Sequence, residues 1–359
     1  MVDGVHSTPS SVTSGVPQGS ILGPLLFLCL VDSVTSRPSP ATAIRIYADD
    51  IALYRIIRSS KDEAEFQADL DTVADWASEA RLAFNTMKSV FVRFSGKQTI
   101  PEPPKYCLAK EEIPRKNSVK YLGLHLDSRL TWKEHVDTTV TKVMKRIRYI
   151  TFLFNRKCQR ARITLFNSLV LPLFDYCSVV CCPRLKGLVD DLEGCVRFFL
   201  RSICSGPAAE YSSIGRYSNR LRQLEMEPLI LERIKASLVL AYKMVFSLVP
   251  VSNPFFIPLD PFAAGSSIAG ATRAAEALCA HPFPIQLNGP HMYGSTVGAS
   301  DKSFVSLVSR IWNSLKLNID AFDSLPSFIL ALNKYNWSTV RFVVDFMGPY
   351  SEYFLHSVL

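Results

Sequence analysis

The sequence predicts an α+β protein in which short strands come first and helices dominate afterwards. Two apolar runs, Ile44 to Tyr47 and Ile51 to Tyr54, flank the acidic pair Asp49-Asp50, the pattern of a tight hairpin with carboxylates at its tip. From about residue 127 apolar positions recur at helical rather than alternating spacing. Charge changes at the same place. Residues 1–126 carry 14 basic and 14 acidic side chains, residues 127–250 carry 20 and 11, and residues 251–359 carry 6 and 7. The whole net charge of +8 therefore resides in the middle third, and a polyanion, most commonly nucleic acid, is the natural partner of such a segment.

Taken in order, residues 1–18 are rich in Ser, Thr, Pro and Gly and read as a loop with at most a short strand. A mostly apolar helix is predicted from Ser20 to Val34, then the hairpin from Ala43 to Tyr54. Ser60 and Asp62 can cap a helix to about Leu82, with Phe66, Leu70, Val73 and Ala77 on its buried face. Ser89 to Phe94 alternates like a strand, and Val119 to Leu126 reads as another. Helices are expected at Trp132 to Arg148, Arg160 to Val170, Asp190 to Ile203 and Pro228 to Val249. Residues 250–300 read as an irregular linker, and Ser303 to Leu315 and Leu325 to Tyr335 as short helices. The expected division is 1–126, 127–250 and 251–359.

Composition excludes several classes. An apolar fraction of 48% with 11% aromatics belongs to a folded chain. The longest apolar runs, Ile21 to Val31 and Leu238 to Val251, contain Gly23-Pro24 and Lys243 and fall short of the roughly 20 residues of a membrane span. No basic-then-apolar leader opens the sequence, so no membrane partner is expected and the site of action is expected inside the cell. Cys177, Cys181, Cys182, Cys195 and Cys204 form no CxxC pair and read as small buried hydrophobes in a reducing compartment rather than as zinc ligands.

Two motifs carry chemistry. Adding a nucleotide to a 3′ end calls for two divalent ions, one activating the attacking hydroxyl and one neutralising the triphosphate. Hard cations such as Mg²⁺ want carboxylate oxygens on a rigid element, and Tyr47-Ala48-Asp49-Asp50 offers them, although an acidic pair standing alone is more often a solvated turn. Upstream, Ser14-Gly15-Val16-Pro17-Gln18-Gly19-Ser20 followed by Ile21-Leu22-Gly23-Pro24 sets glycines before an apolar helix. Glycine allows close backbone approach to a nucleotide, and a helix N-terminus favours phosphate.

In this order and about 30 residues apart, these segments resemble the reverse transcriptases of non-LTR retrotransposons; RNA-dependent RNA polymerases more often show Gly-Asp-Asp. Asn85-Thr86-Met87-Lys88 is similar to the family's next palm motif, and Tyr121-Leu122-Gly123 through Leu130-Thr131-Trp132-Lys133-Glu134-His135 to its primer-gripping hairpin and thumb entry. Leu171 to Cys177 and Arg310 to Leu315 resemble segments of jockey- and CR1-like elements. The resemblance implies a partial polymerase palm, a βαββαβ-type sheet lacking its first strand, followed by a helical thumb and a C-terminal helical tail. It implies Asp49 and Asp50 as catalytic metal ligands for Mg²⁺ or Mn²⁺, two ions in the intact enzyme. Lys88 is implied as a general acid, with a plain surface lysine as the alternative. Pro17, Gln18, Gly19 and Tyr47 are implied at the nucleotide or template, and Tyr121, Leu122 and Gly123 at the primer.

The partners implied are an RNA template, a DNA primer and deoxynucleoside triphosphates, in the nucleus or in a cytoplasmic ribonucleoprotein. Charge adds independent support for a thumb. Lys142, Lys145, Arg146, Arg148, Arg156, Lys157, Arg160 and Arg162 lie in one stretch without an acid, interleaved with Tyr149, Phe152 and Phe154. Basic side chains there suit phosphate contacts; the alternative is a solvated face whose aromatics pack inward. In the family another aspartate sits well upstream of the SGVPQGS loop, where this sequence has only Asp3. The expectations that follow are polymerisation weakened by orders of magnitude, an exposed palm edge open to self-association, or a non-catalytic nucleic-acid binder.

Overall fold

The computed structural model describes residues 15–16, 19–95, 104–155, 157–181, 183, 185–203, 214–249, 256–258, 281–283, 285–287, 304–340, 343 and 347. The chain forms two compact units, Met1–Leu130 and Thr131–Leu359.

The first unit is α+β. Helix α1 spans Gly23–Asp32 and runs into a 3₁₀ turn, Ser33–Ser36. Strands β1 (Thr42–Tyr47) and β2 (Asp50–Arg55) form the acidic hairpin, and α2 covers Ser60–Glu79. The pairs β3 (Cys107–Leu108) with β4 (Glu111–Glu112) and β5 (Ser118–Tyr121) with β6 (Leu124–Asp127) follow. Each ladder is two-stranded and antiparallel, and no larger sheet assembles among the described residues. Val31, Val34, Ile44, Val73, Trp76 and Ala77 share one core, against which Phe27, Ile46, Ile51 and Leu53 pack. The loop-bearing helix, the acidic hairpin and α2 are thus parts of one packed body.

Several expectations are corrected here. The cap of α2 is Ser59, not Ser60: Ser59 Oγ accepts the Asp62 amide at 3.4 Å while the Asp62 carboxylate accepts the Ser59 amide at 2.8 Å, a capping box. Ser89 to Phe94 contributes only a single parallel bridge, Phe91 to Arg115. The Phe91 amide donates to the Pro114 carbonyl at 3.1 Å, and Pro114 has no N–H with which to extend a ladder. Val119 to Leu126 is not one strand but the β5–β6 hairpin, folded back at Leu122 (φ +45°) and Gly123 (φ +81°). Positive φ at both central residues is what a tight two-residue hairpin turn demands.

The second unit is helical. It comprises α3 (Lys133–Leu153), α4 (Gln159–Leu169), α5 (Leu171–Asp175), α6 (Lys186–Ile203), α7 (Ile214–Gln223), α8 (Leu229–Val245), α9 (Phe304–Ser314) and α10 (Leu325–Lys334). A strand pair, β7 (Phe256–Pro258) with β8 (Ile285–Leu287), lies within the stretch expected to be irregular, and α5 and α7 were not anticipated. One core runs through the unit: Val143 and Ile147 of α3, Phe166 of α4, Phe199 of α6, Leu238 of α8, Trp312 of α9 and Phe328 of α10 are all fully buried. Phe166 and Phe199 stack with ring centroids 4.0 Å apart.

Two sequence segments singled out above have structural roles in this core. The Trp312 indole donates to the Phe283 carbonyl at 2.7 Å. The Asn313 side chain clasps the Ile285 backbone, accepting its N–H at 3.0 Å and donating to its carbonyl at 2.8 Å. Phe174 of α5 is buried in the same cluster. Among the described cysteines, Cys181 and Cys195 are buried free thiols, as expected, whereas Cys29 and Cys158 are exposed. Burial, then the nearby Asp191 charge, pushes the Cys195 thiol up to about 11. Cys182 and Cys204 lie outside the described residues.

Candidate functional site

The β1–β2 hairpin pairs Thr42 with Arg55 through to Tyr47 with Asp50, leaving Ala48 and Asp49 as its loop. Alternation sends Ile44, Ile46, Ile51 and Leu53 to the inner face and Arg45, Tyr47, Asp50 and Tyr54 to the outer one. Asp49 and Asp50 are both exposed, and Tyr47 beside them is 65% exposed. Ala48 holds φ at +53°, a left-handed conformation that glycine adopts freely and alanine adopts at a cost of about 1 kcal/mol. Two hard oxygen donors therefore project from a loop that the register holds in one geometry.

What fixes the hairpin from behind is a buried polar network that the sequence reading did not single out. The Arg55 side chain at the open end of β2 is 4% exposed and sits among three carboxylates, Asp62 at 3.8 Å, Asp69 at 3.3 Å and Glu65 in closer contact. Asp69 accepts from the Ser39 amide at 2.7 Å, the Ser39 hydroxyl at 2.8 Å and the Thr42 hydroxyl at 2.5 Å. Burial alone would raise the Asp69 carboxyl, but the hydrogen bonds from Thr42 and Ser39 and the charge of Arg55 outweigh it and hold it below the ordinary range. The signal was present in the sequence: Asp69 interrupts the apolar stripe Phe66, Leu70, Val73, and Arg55 continues the inward parity of Ile51 and Leu53.

The other expected site residues are placed as follows. Tyr121 ends β5, and its hydroxyl is shifted upward by burial first and then by the charge of Asp50, so the β5–β6 hairpin lies within electrostatic reach of the acidic tip. Leu122 and Gly123 form the turn of that hairpin. Lys88 is exposed in a turn closed by Asn85, whose carbonyl and side-chain oxygen accept the Lys88 amide at 3.0 and 3.2 Å. Gly19 holds φ at +86°, and a Cβ placed there would meet nothing within 4 Å, leaving open space on that side of the loop. Ser20 Oγ accepts the Gly23 amide at the start of α1, at 3.0 Å. Pro17, Gln18 and Arg156 lie outside the described residues.

A divalent ion can be tested against this donor set. Asp49 and Asp50 fit Mg²⁺ in kind, being carboxylates on a held turn. They are few: no group of three or more His, Cys, Asp or Glu positioned for a metal occurs among the described residues.

On α3 the cations Lys142, Lys145, Arg146 and Arg148 are all exposed, opposite the buried Val143, Ile147 and Ile150. Tyr149 and Phe152 do not pack inward; they are 60% and 86% exposed. Lys157 and Arg160 are exposed as well, but Arg162 is not a solvated cation. It is buried and donates to the carbonyls of Phe154 at 2.9 Å, Thr151 at 2.9 Å and Ser202 at 2.8 Å, tying the end of α3 to α6. Its five donors in a rigid fork can satisfy several orphan helix-end carbonyls at once. No helix among the described residues is long and apolar enough to cross a membrane.

Comparison with known proteins points to the same family as the motifs. Residues 1–126 match the family described as "Reverse transcriptase (RNA-dependent DNA polymerase)". The chain is similar to "Probable RNA-directed DNA polymerase from transposon X-element" of Drosophila melanogaster, 30% identical over 178 residues, which is 47% of this chain and 19% of that protein. It is similar to "Probable RNA-directed DNA polymerase from transposon BS" of the same species, 31% identical over 181 residues, 48% of this chain and 20% of that protein. "RNA-directed DNA polymerase from mobile element jockey" is 27% identical over 188 residues, 49% of this chain and 20% of that protein. These matches span about a fifth of those relatives, and no solved structure matches the chain. The motif order, the acidic hairpin and these similarities converge: residues 1–126 match the reverse transcriptase family, and the chain is similar to the RNA-directed DNA polymerases of retrotransposons such as jockey.

Proposed function

We propose that this chain contributes to RNA-directed DNA synthesis, with the Asp49-Asp50 tip as the part of the site that holds divalent metal beside a primer terminus. The observation that carries the reading is the tip itself, two exposed carboxylates on a registered hairpin whose rear is locked by Arg55 and Asp69. When bound, a pair of Mg²⁺ ions supplies activation of the 3′ hydroxyl and neutralisation of the triphosphate. The side chains do the rest. Asp49 and Asp50 offer oxygen ligands, and Tyr47, Pro17, Gln18 and Gly19 are assigned to the template and the incoming nucleotide. Tyr121, Leu122 and Gly123 are assigned to the primer strand, and Lys88 to protonation of the departing pyrophosphate.

In the finer architecture, the first unit stands as part of a palm and the basic helices after residue 131 as a thumb that follows the template–primer duplex. Lys142, Lys145, Arg146, Arg148, Arg156 and Lys157 are assigned to its phosphates, with the nucleus or a cytoplasmic ribonucleoprotein as the setting. Among the described residues no third carboxylate joins the acidic pair, so primer extension by this chain alone is expected to be orders of magnitude below that of a complete site.

A cleavage experiment tests the assignment without requiring turnover. With Fe²⁺ in place of Mg²⁺ and hydrogen peroxide and ascorbate present, the bound ion reduces peroxide to hydroxyl radical, which cuts nearby sugar, and ascorbate returns the Fe³⁺ to Fe²⁺. On an RNA template annealed to a DNA primer, cuts are expected to concentrate at the primer's 3′ end and to vanish in Asp49→Asn. Cuts spread evenly along the duplex, or unchanged in the variant, would refute it.

A further inference from the structure

The outward face of α3 carries more than phosphate contacts require. Lys145, Arg148, Tyr149 and Phe152 stand at i, i+3, i+4 and i+7, one ridge along the helix. All four are exposed, Phe152 at 86% and Tyr149 at 60%. No acid interrupts the stretch from Lys142 to Arg162, and no ion pair engages Lys145 or Arg148 among the described residues. A phenylalanine left in water forgoes the roughly 1.5–3 kcal/mol that burying such a side chain yields, and nothing within the described chain covers it.

A duplex presents phosphates outward and hides the faces of its bases, so cations alone would serve it. Rings in line with cations add binding only where base faces are free. Three helical residues separate the two rings, a rise of roughly 4.5 Å, enough for successive unpaired bases to lie against them while Lys145 and Arg148 neutralise the flanking phosphates. Tyrosine and phenylalanine also lose little side-chain freedom on contact, having only two rotatable bonds each.

We infer that this ridge is a binding surface for single-stranded nucleic acid, holding unpaired bases by stacking on Tyr149 and Phe152. The inference rests on the nucleic-acid reading given above for the kind of polymer involved. It needs no metal, so the two can fail separately.

The test is binding of the full chain, in the presence of a chelator, to a fluorescently labelled single-stranded oligonucleotide and to the matching duplex over a range of salt. Phe152→Ala is expected to weaken single-strand binding by roughly 5- to 150-fold, the value of one stacked base, and to leave duplex binding unchanged. The slope of affinity against salt should not move in that variant, because no phosphate contact is lost. Phe152→Trp is expected to restore binding. A Lys145→Glu, Arg148→Glu double variant should instead weaken both ligands and flatten the slope. Equal losses for duplex and single strand in Phe152→Ala, or no loss at all, would overturn the proposal. So would a change confined to self-association, which would make the ridge a protein contact.

Discussion

At position 48 an alanine occupies a backbone conformation that favours glycine, φ +53°, in the two-residue loop that carries Asp49. Strain of this kind persists where the surrounding structure determines it and concentrates at functional sites. Ala48→Gly is expected to stabilise the first unit by about 0.5–1 kcal/mol, read as a rise in the midpoint of urea unfolding; a fall would show that the loop is unstrained. A second residue-scale feature lies in the helical unit. His281 is buried, accepts the Phe283 amide on Nδ1 at 3.0 Å, and is pushed by burial down to about 4. The folded state thus prefers the neutral ring. Protonation favours unfolding wherever the pH lies below the ordinary histidine value of about 6.5. Stability of this unit is expected to be full above pH 6.5 and to decline by about 3 kcal/mol as the pH falls toward 4, a decline that His281→Phe should largely remove in chemical denaturation at several pH values. An identical pH profile for the variant would refute the assignment. Neither feature was legible beforehand: a loop dihedral leaves no mark in residue type, and His281 lies in a stretch whose composition reads as linker.

Among the elements, the β1–β2 hairpin was the most legible, because apolar runs on both sides of an acid doublet leave few other arrangements. Its support was less so. By residue type Arg55 is an ordinary strand-end cation and Asp69 an ordinary helix acid, and only packing brings them together at 3.3 Å behind the hairpin. Removing Arg55 leaves Asp69 buried without its cation, a situation that costs about 3–5 kcal/mol, so Arg55→Ala should unfold the first unit at markedly lower denaturant. Since the Asp69 carboxyl is held below the ordinary range, its contribution is present above pH about 4 and is lost as acid protonates it. The Arg55→Ala and wild-type proteins should therefore converge in stability at strongly acid pH; a constant gap would count against the network. The β5–β6 hairpin shows how periodicity misleads. Val119 to Leu126 reads as one apolar run, yet its apolar positions change phase, odd at Val119 and Tyr121 and even at Leu124 and Leu126, as the two-residue turn at Leu122-Gly123 requires.

For the whole molecule, the shift in charge near residue 126 lies close to the division of the chain at Leu130 and Thr131. Helix positions after that point were legible because amphipathic periodicity is strong there: α6 buries Leu188, Leu192, Cys195, Val196, Phe199, Leu200 and Ile203 on one side. What composition hid was the use made of single residues. Arg162, counted with the basic stretch, is a buried clamp on three carbonyls, whereas Phe152, countable as core, faces solvent. Long side chains at a helix end can turn either way, and the partner that decides lies far off in sequence. Metal binding at the hairpin tip requires Asp49 and Asp50 to act together as ligands for a divalent ion, and titration with Mn²⁺ followed by electron paramagnetic resonance tests that directly. The wild-type chain is expected to bind Mn²⁺ saturably, Mg²⁺ to compete, and Asp49→Asn to weaken binding about tenfold or more, as loss of a charged ligand implies. Mn²⁺ binding that is equal in the wild type, in Asp49→Asn and in the double variant Asp49→Asn, Asp50→Asn would contradict it.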